Sequence, residues 1–211
     1  MSNRTYGKFI AGLIAAWFIF SFGASSLHLF ENDSARLGLP IALAALTPIL
    51  LFLLWFAALA GFRQFAFSLN PRLLTLAQAW RIGGFVFLGL YARGILPGIF
   101  ALPAGWGDVA IGATALLVTA KLANPGRRSA FILWQVLGLL DLVMAVTLGV
   151  TAGLISPHAT MTAMTLLPLS LIPTFIVPLL LIFHLICIAQ ARHWHAPQRS
   201  HLRDQLASSE T

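Results

Sequence analysis

Two unbroken apolar runs, Phe9 to Phe30 and Pro40 to Phe62, contain no Asp, Glu, Lys or Arg. At a rise of 1.5 Å per residue, a helix of about 20 residues crosses the ~30 Å hydrocarbon core of a bilayer. In lipid, backbone groups must be satisfied within the chain, which leaves helices or closed β-barrels. A barrel would show short segments of alternating polarity, and these runs do not alternate. Composition agrees: 59% of residues are hydrophobic and 9% charged, with a mean hydropathy of +0.88. Soluble domains carry about 25% charged residues. The expected fold is therefore an all-α integral membrane protein, a single bundle of six transmembrane helices over 1–190.

Taken in order, the chain starts with a short polar segment, MSNRTYGK. The first span, 9–30, could double as a signal-peptide core, with GASS (23–26) as cleavage site, although the apolar run continues past it. Its removal would leave the other five spans in the same orientation. The second span, 40–62, is uniformly apolar with Pro48 inside, and Asn70-Pro71 marks a turn in the basic connection after it. The third span, 74–96, ends near Pro97-Gly98. FALPAGWG (100–107) reads as an interfacial or re-entrant turn, so Asp108 is expected to open a short fourth span, 108–123. KLANPGRR is a basic turn before the fifth span, 129–155. A sixth span, 166–190, carries Pro168, Pro173 and Pro178, of which the last two should kink it or free carbonyls. The tail, 191–211, loses the apolar pattern and is expected on or near the cytoplasmic surface, disordered towards its end.

Positive residues set the expected orientation. With a cytoplasmic N-terminus, the inner side would hold Arg4, Lys8, Arg63, Arg72, Lys121, Arg127, Arg128, Arg192, Arg199 and Arg203, and the outer side Arg36 and Arg93. That asymmetry is a positive-inside signal, so both termini should face the cytoplasm, in a bacterial plasma membrane by default. The formal net charge of +7 does not suggest a nucleic-acid partner, because the cations cap apolar runs and form no stripe. A single cysteine, Cys187, rules out an internal disulfide or multi-cysteine cluster and reads as core packing.

The stretch Leu74–Gly112 concentrates the residues that oily sequence normally excludes. A charge within a span costs at least a few kcal/mol unless it is paired or faces a polar cavity. Arg81 should lie roughly 10 Å below the inner boundary, His184 roughly 9 Å, and Gln135 at a similar level. Asp141 sits nearer the midplane, within reach of an extended Arg81 if the third and fifth spans are neighbours. These four are the candidates for a substrate site or proton pathway, with snorkelling of Arg81 and helix-to-helix hydrogen bonds as the structural alternative. Arg93 and Asp108 flank the outer turn and are expected to form a clasp or gate, Asp108 also capping the fourth helix. AWRIGGF (79–85) and LWQVLGL (133–139) align on Trp80 and Trp134, too short a match to establish a repeat.

Two catalytic motifs tempt and fail. GWGD (105–108) resembles the GxGD motif of intramembrane aspartyl proteases. A dyad must share a proton across about 3 Å, whereas these depths place Asp108 and Asp141 roughly 10 Å apart along the normal. The flanking motifs and the order of the acids also differ. GASS with His184 resembles the rhomboid serine and histidine, but the two lie towards opposite faces. His28 and His184 are likewise at opposite depths for paired haem ligands, and no cofactor or metal is expected, although His193 and His195 could hold a metal weakly.

The leading functional expectation is a small transporter or permease with a polar inner-half site and the broken sixth helix as moving part. A non-catalytic membrane subunit or assembly partner comes second and an intramembrane enzyme third. Besides lipid, a homo-oligomer or partner membrane protein fits the glycine-rich third and fifth spans, which permit close helix contacts.

Overall fold

The computed structural model describes residues 3–31, 38–155 and 161–194. The described residues form helices and connecting turns, with no strand among them. The α-helices are α1 (Asn3–Ser26), α2 (Leu39–Ala58), α3 (Ala60–Ser68), α4 (Pro71–Ala77), α5 (Phe85–Ala92), α6 (Gly98–Lys121), α7 (Arg128–Ile155) and α8 (Val177–Arg192). Six helices are long and apolar enough to cross a membrane: Arg4–Ser26, Leu39–Ala58, Pro71–Ala92, Gly98–Lys121, Pro125–Ala152 and Ile172–Arg192. Their exterior is apolar, with Leu50, Leu54, Leu116, Leu133 and Leu140 among many exposed leucines. Such a surface suits hydrocarbon as its solvent.

Contacts between helix ends give the topology. Tyr6 stacks on Phe65, Phe67 meets His193, Arg72 donates to the Ala123 carbonyl, and Arg128 donates to that of Trp194. All six spans therefore bring one end to the same side, alternating up and down. This side carries eight of the ten described arginines and lysines, all but Arg81 and Arg93, and is called the basic end below. At the opposite end Phe87, Leu96, Phe100 and Met161 pack together.

Several boundaries differ from expectation. The fourth span starts at Gly98, so FALPAGWG is helix and not a turn. Pro103 lies in the second turn, where it removes only one backbone bond. The glycines and alanines around it are not loop residues but packing residues: Ala101, Ala104 and Gly105 are buried against neighbouring helices. The second span stops at Ala58, where Leu59 turns extended and α3 begins separately. Arg63 Nη1 then donates to the carbonyls of Phe56 and Ala57 at the broken end. Gln190 Nε2 does the same for Ala66 and Leu69 at the end of α3. The third span starts at Pro71, earlier than the expected 74, so Asn70-Pro71 is the helix start and not a turn within the connection: Asn70 accepts from the Arg72 N–H, with proline in the first turn.

The sixth span is broken, as its prolines predict, and its regular helix begins later than residue 166. Residues 166–170 form a bend and turns, and Ile172–Ile176 is a π-turn leading into α8. Pro178 offers no N–H to the carbonyl of Thr174, four residues earlier. That carbonyl instead accepts from Trp17 Nε1 at 3.0 Å and from Ser21 Oγ at 3.4 Å, both on α1. Ser170 Oγ donates to Ser25 Oγ at 2.8 Å on the same helix. The first span is thus fastened to the kink by buried Ser21, Ser25, Ser170 and Thr174 and by half-buried Trp17.

The third and fourth spans approach closely through small residues. A Cβ on Gly112 would strike the backbone of Arg81 and Ile82, and one on Gly105 would lie 2.7 Å from Leu88 Cδ2. Gly89 faces open space. Gly112→Ala should therefore destabilise the protein by about 1–3 kcal/mol. Gly89→Ala should be neutral or stabilising by up to about 1 kcal/mol. Thermal unfolding in detergent separates the two, and equal effects would contradict the packing described.

Candidate functional site

The third span is polar along one buried face: Thr75, Gln78 and Arg81 are all buried. The helix tightens to a 3₁₀ turn over Gln78–Gly84, in which side chains three apart eclipse, so Gln78 and Arg81 point the same way. Gln78 Nε2 donates to the Leu180 carbonyl at 3.0 Å. Arg81 reaches into the centre of the bundle, its side chain 1% exposed.

There the guanidinium meets three other spans. Nε donates to Asp108 Oδ1 on α6 at 2.6 Å, and Nη2 pairs with Asp141 Oδ2 on α7. Nη1 donates to the Gly138 carbonyl at 3.0 Å and contacts His184 Nε2 on α8 at 3.3 Å. A buried charge is tolerated when it is paired and its donors are used. Glycines make the room: a Cβ at Gly138 would land on the His184 ring, and one at Gly107 on the Asp141 carboxylate. At Gly84 it would lie 2.5 Å from Asp108 Cβ.

His184 extends the network towards the basic end. Arginine can only donate, so His184 Nε2 accepts and the ring proton sits on Nδ1. Nδ1 then donates to Gln135 Oε1 at 2.5 Å. This orients the amide so that Gln135 Nε2 donates to Thr75 Oγ1 at 2.9 Å, and Thr75 donates to the Pro71 carbonyl at 2.8 Å. One direction of donation runs from Arg81 through His184, Gln135 and Thr75 to the first residue of the third span. Cys187 packs beside it, buried, with Sγ 3.9 Å from Thr75 Oγ1. One guanidinium faces two carboxylates, whose side chains are 15% and 11% exposed. The accessible side of the cluster is therefore acidic.

Arg81, Gln135, Asp141 and His184, singled out from the sequence, thus meet in one place. The Arg93–Asp108 clasp does not form. Arg93 is exposed at the end of the third span, while Asp108 is committed to Arg81. The reason is the earlier start of α6, which moves Asp108 from a helix N-terminus to mid-helix. The distance argument against an aspartate dyad fails with it, since both acids converge on Arg81. In place of a proton shared between them, each carboxylate bonds to that guanidinium. Ser25 and His184 have separate partners, Ser170 and Gln135. His195 lies outside the described residues.

Thr75 and Gln78 are additions to the sequence-derived residues, and Asp108, expected as the partner of Arg93, joins the Arg81 cluster instead. Thr75, Gln78 and Arg81 recur every third residue, a polar stripe the sequence displays. Removing Arg81 would leave two carboxylates facing each other, so Arg81→Met should cost about 3–5 kcal/mol. Adding Asp108→Asn to Arg81→Met should recover part of that loss, and Arg81→Lys should not rescue it, because an ammonium cannot present the fork. Thermal unfolding of the natural protein, Arg81→Met, Asp108→Asn and the double variant gives the coupling. Strictly additive losses would mean the two groups do not interact.

Comparison with known proteins adds one match. No curated protein and no solved structure matches the chain significantly. The model of the family described as Domain of unknown function (DUF8737) matches residues 37–192, which include α2 to α8 and every residue of the Arg81 cluster. The chain belongs to the DUF8737 family.

Proposed function

We propose that this is a small transporter-like protein of the plasma membrane, with both termini cytoplasmic and the Arg81 cluster as its substrate or proton site. The observation that carries the reading is the convergence of four spans on one guanidinium. A rearrangement of those spans must break bonds to Arg81, so whatever competes for its carboxylates can bias the bundle between arrangements. Asp108 and Asp141 are the accessible partners. A proton or a cationic group that takes one of them would weaken its hold on Arg81. His184 stands on α8, directly after the π-turn, so bending there would move it relative to the guanidinium.

A second reading is a membrane subunit in which the same network only locks helices together. It is favoured by the saturation of Arg81, which has a partner at each of its three nitrogens.

Solid-supported-membrane currents from reconstituted vesicles distinguish them. Panels of amines, acids and neutral solutes would be applied with and without a pH gradient. Transport predicts a current for at least one class, lost in Asp141→Asn and kept in Arg93→Gln. Silence of the natural protein across the panels, with Asp141→Asn only lowering the unfolding temperature, would favour the locking role.

Orientation has its own test. The eight described cations of the basic end, Arg4, Lys8, Arg63, Arg72, Lys121, Arg127, Arg128 and Arg192, predict protease protection of tags at both termini in intact spheroplasts. Cleavage of either tag from outside would reverse the assignment.

A further inference from the structure

At the start of α7 a shallow, open depression of about 480 Å³ runs along one face of the helix, over Arg128, Ser129, Ile132, Leu133 and Val136. We propose that it docks an anionic phospholipid, the phosphate at Arg128 and Ser129 and an acyl chain along the aliphatic residues. The site is distinct from the Arg81 cluster and does not depend on the transport reading.

Shape and charge support this occupant. Positions 129, 132, 133 and 136 recur at helical spacing, so they share one face. The depression changes from cationic at the helix start to aliphatic over the roughly 12 Å that eight residues rise, as a lipid changes from headgroup to chain. Arg127, also exposed, directly precedes Arg128 in the chain. Arg128 Nη1 bonds to the carbonyl of Trp194, which stacks on Phe131 with centroids 5.1 Å apart, so the guanidinium has a defined seat at the bundle edge.

Counter-ions decide the headgroup. The acids among the described residues are Glu31, Asp108 and Asp141. Glu31 follows the opposite end of α1 and pairs with His28, and both aspartates bind Arg81. No described carboxylate is left for the cations of the basic end. Phosphates can supply the missing charge, and a net-anionic lipid does so without adding a cation of its own.

The test is native mass spectrometry of the full-length protein, delipidated in detergent and titrated with phosphatidylglycerol or phosphatidylcholine of matched chains. Phosphatidylglycerol should bind tighter by roughly tenfold or more, the preference disappearing in Arg127→Gln/Arg128→Gln. Val136→Trp, which fills the depression without changing charge, should weaken phosphatidylglycerol binding. Arg4→Gln/Lys8→Gln, removing the same charge elsewhere at the basic end, should leave it unchanged. All these positions are exposed or half-buried, and an unchanged unfolding temperature would confirm that each variant folds. Equal affinity for the two lipids would overturn the proposal. So would equal loss in the Arg4/Lys8 control, which would mean diffuse attraction, or full competition by inorganic phosphate, which would mean a headgroup-only site.

Discussion

A guanidinium cannot give up its proton inside a protein, so a bundle that buries one must be arranged to answer it. Arg81 is answered by a carboxylate from the fourth span, a carboxylate and a carbonyl from the fifth, and an imidazole from the sixth. Those bonds fix the rotation of each span about its axis, because turning any one by a single residue would withdraw its group. The order of charge extends further than the first contacts. The imidazole's tautomer sets the orientation of the Gln135 amide, which sets the role of the Thr75 hydroxyl.

The second constraint is distance. Lipid provides little hydrophobic drive between helices, so packing and hydrogen bonds must hold them together. Backbones can come close only where side chains are absent, and Gly84, Gly105 and Gly112 bring the third and fourth spans together. Gly107 and Gly138 do something different. They give up volume to functional groups, the Asp141 carboxylate and the His184 ring. Polar network and glycine pattern are one design, since the arginine's partners could not reach it across ordinary helix spacing.

Long apolar runs made the six helices legible, and helical rise made Arg81, Gln135, Asp141 and His184 legible as a group at related depth. The errors trace to residues with two meanings. Pro103, Gly105 and Gly107 carry the composition of a turn, yet they are the small residues that let α6 pack, and tertiary contact overrode local preference. Misplacing that helix start misplaced Asp108, and with it the clasp to Arg93. Thr75 and Gln78 lie near the start of the third span, where polar side chains read as part of the interface, and only their spacing from Arg81 marks them as one buried face. Which spans are neighbours was not written in any local pattern. It depends on contacts such as Gln78 to Leu180, 102 residues apart.

The fastening of α1 to the π-turn bears on what the smallest self-sufficient unit is. The family match begins at residue 37 and leaves the first helix outside, which invites the view that α1 is an appendage. Yet Trp17 and Ser21 supply the donors to the Thr174 carbonyl, beside the proline that interrupts the sixth helix. A chain begun at residue 37 would lose both donors, and an unmet backbone acceptor in apolar surroundings costs several kcal/mol. The segment the family model recognises is therefore shorter than the segment that satisfies the backbone of the kink.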